Sequence, residues 1–234
     1  MIYTVDELIA DFRSDVFDNP DVDGEGVERD ALWSASDILR YINTACGQLA
    51  RDTLALRKRF EFSITADEPL VRFPYDEVLD VITAEFNAPA YNGAGRWLRP
   101  FDIDEGIRRE DYGVMITSAP NLETTGTPSH FTRDYDNLFL RLYPIPAVDG
   151  DLIVHAYVVP QRLYAGMPLP FTSEIDRYLL LLWMKKMAYA KQDADTLDLS
   201  RSGAFDAEYR EGALARRSEL DRIRRPSGGI VRPS

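Results

Sequence analysis

The sequence predicts an α+β fold: a bundle of N- and C-terminal helices that carries a β-rich, mostly antiparallel insertion and ends in an extended C-terminal tail. Two observations predict it. Apolar residues recur at helical spacing up to about residue 57 and again from residue 174, whereas between them they alternate with a period of two. The transitions fall where proline, glycine and capping residues cluster. At 234 residues the chain has the length of one large domain or two small ones. We read residues 1–59 and 171–225 as a helical core, 60–170 as the β-rich insertion and 226–234 as a flexible tail.

Residues 4–17 read as a short helix, with Thr4 as N-cap, Glu7 completing a capping box, and Leu8, Ile9, Phe12 and Phe17 on the apolar side. An acidic loop, 19–30, follows. Ser34 starts the second helix, Asp37 stands at N3, and Trp33 and Ile38 have the spacing of a hydrophobic staple. Ile38, Tyr41, Ile42, Ala45, Leu49, Thr53 and Leu56 then form one buried face.

Phe60, Phe62 and Ile64 open the period-two region, followed by strand candidates at 71–73, 78–86 and 96–98, the last entered by an Asn92-Gly93-Ala94-Gly95 turn. Residues 102–112 read as a short surface helix and 121–129 as loop. Residues 138–143 and 152–159 alternate well and, joined by Pro144, Pro146 and Asp149-Gly150, suggest a hairpin-like pair. Pro160, Pro168 and Pro170 mark a stiff connector. Thr172 or Ser173 then caps a helix to about residue 192, apolar all round from 179 to 184 and so expected within the core. The last helix, 199–224, places Phe205, Tyr209, Gly212, Leu220 and Ile223 on one side, and Pro226 stops it.

The formal net charge is −12, which disfavours tight binding to DNA, because such binding relies on Lys and Arg displacing counterions from phosphates. The charge is uneven. The first 30 residues carry ten acids against Arg13 and Arg29, whereas residues 201–234 carry eight arginines against five acids. The two ends are therefore expected to meet different partners or each other. Acid within the first ten residues argues against a signal peptide. The longest apolar run, 178–184, is far short of the roughly 20 residues of a membrane span. Cys46, the only cysteine, permits no intramolecular disulfide and fits folding in a reducing cytoplasm; its helical setting reads as a small buried hydrophobe.

No pattern with a chemical signature emerges. Asn19, Asp21, Asp23, Gly24 and Asp30 partly fit a calcium loop, but Gly26 replaces the apolar tie and Asp30 the longer bidentate Glu, so the stretch reads as a solvated acidic loop. His130 and His155 lie apart, without the HExxH spacing of a zinc site, and no G-x-S-x-G elbow occurs. The clusters Asp102-Asp104-Glu105 and Asp193-Asp195-Asp198 belong to an abundance of carboxylates. Asp193 and Asp195, two apart, would point to different sides of a helix. We expect no enzyme activity, no cofactor, no metal and no catalytic residue.

Three stretches, in this order, resemble the head-to-tail adaptor (connector or head completion) proteins of tailed bacteriophages, the ring components beneath the portal. The first is Leu32-Trp33-Ser34-Ala35-Ser36-Asp37-Ile38-Leu39-Arg40-Tyr41-Ile42-Asn43-Thr44-Ala45, like that family's first long helix and its Trp-Ser lead-in. The second runs from Gly126-Thr127-Pro128 through Tyr135 and Leu138-Phe139-Leu140-Arg141-Leu142-Tyr143-Pro144-Ile145-Pro146 to Asp149-Gly150 and Tyr157-Val158-Val159-Pro160. The third is Leu169-Pro170, the buried helix, Ala188-Tyr189-Ala190, Asp193 and a final helix containing Phe205. The acidic loop 19–30 is longer and more acidic than the family pattern, so no role is carried over to it.

The resemblance implies a structural virion protein at the head-tail junction, made in the host cytoplasm. It implies a dodecameric ring between portal and tail through which DNA passes without tight binding, and no membrane. The implied partners are the portal, neighbouring copies and the next tail component, whether stopper, nozzle or tail tube. Portal docking would fall to the basic C-terminal segment: Arg216, Arg217, Arg222, Arg224, Arg225, Ile230, Val231 and Arg232. Two rival readings are a carbohydrate- or peptide-binding β-module presenting Trp97, Tyr91 and Tyr112, and a metal-dependent hydrolase using Asp102 or Asp104.

Overall fold

The computed structural model describes residues 3–18, 21–22, 28–29, 31–73, 78–91, 95–100, 124–133, 139–192 and 197–224. The chain divides into two compact units, Met1–Leu56 with Val159–Ser234, and Arg57–Val158. An α+β fold results: the first unit is helical and the second carries a large mixed sheet. The expected surface helix at 102–112 lies outside the described residues, as do 92–94 of the expected turn.

In the helical unit α1 spans Val5–Val16. Its capping box forms as expected, Glu7 N–H donating to Thr4 Oγ1 at 3.2 Å and Thr4 N–H to Glu7 Oε2 at 2.8 Å. The helix stops at Phe17, which adopts the left-handed conformation (φ 56°) and points its ring into solvent. Phe17 therefore lies off the apolar side assigned to it from spacing, because a residue past the last turn no longer follows the helical period. Helix α2, Ala35–Thr53, is capped by Ser34, which accepts from Asp37 N–H at 3.1 Å. It ends at Leu54 (φ 52°), short of the expected residue 57.

Helix α3 spans Glu174–Tyr189 and is capped by Ser173. Leu179, Leu180, Leu181, Leu182 and Met184 are all buried, as their continuous apolar run requires. Helix α4, Leu199–Arg224, buries Ser202, Tyr209 and Ala213. Ile223, assigned to the apolar stripe, is exposed although it stands seven residues after inward-facing Arg216 on the same row: Arg216 already meets Asp176 in the first turn of α3, and Ile223, about 10 Å further along α4, lies past the start of that helix.

Trp33 gathers three helices. It meets Phe12 of α1 and Tyr189 of α3 edge-on at 5.7 and 5.8 Å, and its Nε1–H donates to the Ala188 carbonyl at 3.2 Å. Just upstream, buried Asp18 accepts from Leu32 N–H (2.8 Å) and Trp33 N–H (3.4 Å) and pairs with buried Arg13 at 3.2 Å. The start of the chain is tied to the proline-rich connector: Val5 N–H donates to Met167 O and Leu169 N–H to Tyr3 O. Asn43 of α2 exchanges two bonds with the backbone of Leu163.

The sheet unit contains a seven-stranded sheet in the order β3-β11-β5-β6-β8-β9-β4. These strands are β3 Arg57–Ile64, β4 Leu70–Arg72, β5 Val78–Asn87, β6 Arg96–Pro100, β8 His130–Arg133, β9 Phe139–Tyr143 and β11 Gly150–Val158. All neighbours are antiparallel except β6 and β8. Strand β11, second in the sheet, is flanked by β3 and β5 and buries Leu152, Val154, Ala156 and Val158 toward one face. Gly150 opens it where a Cβ would meet Asn87 O at 2.5 Å and the Phe86 ring at 2.7 Å.

Two expectations are corrected here. Strands β9 and β11 do not pair as a hairpin; β5, β6 and β8 stand between them. Pro144 and Pro146 have no N–H to continue a ladder, and the short strand β10 between them, Ile145–Pro146, pairs instead with β7, Thr125–Gly126. The loop expected at 121–129 accordingly contains β7, since Thr124 O and Gly126 O accept from Ile145 and Ala147 N–H at 2.9 and 3.0 Å. The remaining short strands, β1 Asp21–Val22 and β2 Glu28–Arg29, pair antiparallel within the acidic stretch.

Replacing Asp18 by Ala removes a buried carboxylate that fixes Arg13 and the entry to α2. The expected loss is roughly 3 kcal/mol of unfolding free energy, read as a lower urea midpoint at unchanged slope. An unchanged midpoint would contradict this role.

Candidate partner interface

Of the residues expected to dock on a partner, Arg216, Arg217, Arg222 and Arg224 lie on α4; Arg225, Ile230, Val231 and Arg232 lie outside the described residues. Arg216 turns inward. Its Nε and Nη2 donate to the two Asp176 oxygens at 2.8 and 3.1 Å, and its Nη1 donates to Glu219 at 2.8 Å. The Arg216 and Asp176 side chains are only 12% and 5% exposed, so this forked pair ties α4 to α3 away from water. The Asp176 bond, opposed by burial and helped by Glu219, holds the guanidinium pKa above its ordinary value.

Arg217 and Arg224 reach α2. Arg217 Nη1 donates to Asp52 O at 3.3 Å, and Arg224 Nη2 to Leu54 O at 2.6 Å, which serves carbonyls left over at the C-terminal end of α2. Arg222 is exposed. The basic end of the chain thus contains arginines that fasten the last helix and others that face outward.

Between α2, α3 and α4 lies an open groove of about 480 Å³. Trp183, Tyr209 and Ala213 line it from within, and Arg51, Arg210, Arg217, Asp52 and Leu214 also line it. Trp183 and Tyr209 pack edge-on at 4.8 Å. Tyr209 O–H donates to Asp52 Oδ2 at 2.8 Å; burial first, and then this carboxylate, push the phenol pKa far up, so it remains a donor. Beside the groove Asp206 binds Lys186 Nζ at 2.6 Å and Arg210 at 2.8 Å. The Lys186 bond is the largest of the effects holding its carboxyl below the usual range. The spacing of Arg210, Leu214 and Arg217, i, i+4 and i+7 on one face of α4, is the signal that could have exposed this groove in the sequence; Arg51 joins it only through packing.

The remaining sequence candidates do not converge. Cys46 is buried, and burial pushes its thiol up to about 12, out of the reactive range. His130 bonds Ser129 Oγ at 2.8 Å; burial, then Arg99 and Arg96, lower its pKa. Asp198 heads α4, accepting from Arg201 N–H at 3.0 Å. Trp97 is exposed on β6, whereas Tyr112, the Tyr91 side chain, Asp102, Asp104, Glu105, Asp193 and Asp195 lie outside the described residues, as do the side chains of the calcium-like stretch. Among the described residues no group of three or more His, Cys, Asp or Glu is placed to hold a metal, and no helix is long and apolar enough to cross a membrane.

Compared with known families, the chain matches the SU10 adaptor protein family from residue 3 to residue 232. The chain belongs to the SU10 adaptor protein family. The resemblance to phage head-to-tail adaptors is therefore upheld at the level of the family, and the protein is a bacteriophage structural adaptor, a virion component. No curated protein matches the chain.

Two outcomes follow for this adaptor. Arg216→Ala strands the buried Asp176 carboxylate and should cost roughly 3–5 kcal/mol in equilibrium unfolding, with Arg216→Lys recovering only part. A loss below ~1 kcal/mol would contradict the pair's anchoring role. Because the folded state holds the Asp206 pKa below 3.8, its contribution is present above that pH and lost as pH falls through the folded pKa. The stability curves of the wild type and Asp206→Asn should therefore be separated near neutrality and converge in acid; a constant gap would contradict the assignment.

Proposed function

We propose that the protein is a head-to-tail adaptor, a non-enzymatic component that forms a ring between the portal and the tail. The observation that carries this reading is the extent of the family match, which covers both units and the basic C-terminal end. Neighbouring copies form a dodecamer, the portal lies on one side and the next tail component on the other. DNA passes through without being gripped, in keeping with the net charge of −12: carboxylates facing a lumen repel phosphate.

The docking segment on the portal is the basic C-terminal stretch. Arg216, Arg217 and Arg224 brace α4 against the helical body, Arg222 stands exposed on it, and Arg225 and Arg232 with Ile230 and Val231 follow in sequence as the charged and apolar contacts for the portal. A short segment that orders on its partner in this way gains main-chain bonds and a pocket contact together.

The test is retention of the portal protein by the immobilised full chain and by a chain ending at Arg225. The full chain should retain it, and the shortened chain should bind at least tenfold more weakly. Equal retention by both would remove the tail from the interface. Retention by neither, with assembled virions lacking the protein at the neck, would overturn the adaptor reading.

A further inference from the structure

The groove between Ala35–Thr53 and Leu199–Arg224 has the opposite sign to the chain as a whole. Three guanidinium groups, on Arg51, Arg210 and Arg217, stand against the single carboxylate of Asp52 in its lining, while the net charge of the protein is −12. Leu214 in that lining is 68% exposed. Arg210 already shares Asp206 and Arg217 bonds Asp52 O, and the lining still carries a surplus of positive charge, so an occupant that suits it is acidic and brings a small apolar side chain to cover Leu214.

We infer that the groove receives the acidic stretch 19–30 of a neighbouring copy, and so forms the repeating contact of the ring proposed above, on which this inference rests. That stretch carries Asp21, Asp23, Glu25, Glu28 and Asp30 against Arg29 alone, with Val22 and Val27 as small apolar residues. The C-terminal tail, with Arg225 and Arg232, has the wrong sign for an arginine-lined groove.

Reach decides between the chain's own stretch and a neighbour's. Asp18 pins the stretch beside the start of α2 through Leu32 and Trp33, and Asp21–Val22 pairs back on Glu28–Arg29. Covalent geometry limits the midpoint of the stretch, about six residues from the pin on either side, to at most roughly 20 Å from it. Arg51 lies 17 residues beyond Ser34, about 25 Å along the helix, and the α4 side of the groove lies across it. A chain's own stretch falls short, whereas a neighbour's meets no such limit. Donor and acceptor also sit at opposite ends of α2, so their contact is heterologous. Repetition of a heterologous contact closes a ring when its rotation divides the circle, which a self-complementary patch cannot do beyond a dimer.

The probe is a fluorescent peptide of residues 18–31, titrated onto the full-length chain at low salt. We expect saturable binding that falls at least tenfold when Arg51→Glu and Arg210→Glu are combined. The same fall is expected against the unaltered protein when the peptide acids become Asn and Gln. Absence of saturable binding, or equal affinity for the neutralised peptide, overturns the inference. In assembled particles, copies bearing Asp23→Cys mixed with copies bearing Leu214→Cys should yield a cross-linked dimer under oxidation. If a lysine cross-linker shows neighbouring copies but this disulfide never forms, the inference fails and the ring reading stands. If the particles hold only isolated copies, both fail.

Discussion

The helix Glu174–Tyr189 contains a stretch that cannot face water on any side, and the rest of the helical unit is arranged to meet that demand. Four consecutive leucines and Met184 are buried, each contributing about 1.5–3 kcal/mol relative to exposure. One neighbouring helix covers only a stripe of such a cylinder, so α1, α2 and α4 must all pack on it, and they come from the two ends of the chain. Residues 57–158, inserted in sequence between the two parts of that core, form a separate compact unit. Trp33, between Phe12 and Tyr189, and the forked Arg216 pair with Asp176 then fix α1, α2 and α4 on the buried helix.

Much of the helical unit was legible because its signals are local. Thr4 with Glu7, Ser34 with Asp37, and Ser173 each satisfy backbone donors within three residues, so position in the sequence is position in the structure. Helix ends were less legible: Phe17 and Leu54 stop their helices in a left-handed conformation usually left to glycine or asparagine, and nothing in their side chains announces it. In the sheet unit the period of two identified strands but not their partners. The alternation in 139–143 and 150–158 is real, yet pairing depends on which edges are occupied, and β11 has both its edges taken by strands far from it in sequence.

The interface residues divide along the same line. That the C-terminal helix is arginine-rich is plain from composition; that Arg216 is an internal anchor depends on Asp176, forty residues upstream, and emerges only from packing. The groove combines Arg51 of α2 with Arg210 and Arg217 of α4, and no sequence window contains all three. For a structural adaptor this is a physical expectation: its function lies in surfaces assembled from several elements, whereas a catalytic motif often condenses on one turn.

The central claim is that this chain acts by repeating one contact around an axis between portal and tail. Cryo-electron microscopy of the virion neck, with symmetry determined from the images, tests it most directly. The account predicts a closed ring of this chain directly below the portal, with the axial channel wide enough for duplex DNA. Density for the chain elsewhere in the particle, or as single copies without rotational repetition, would contradict it.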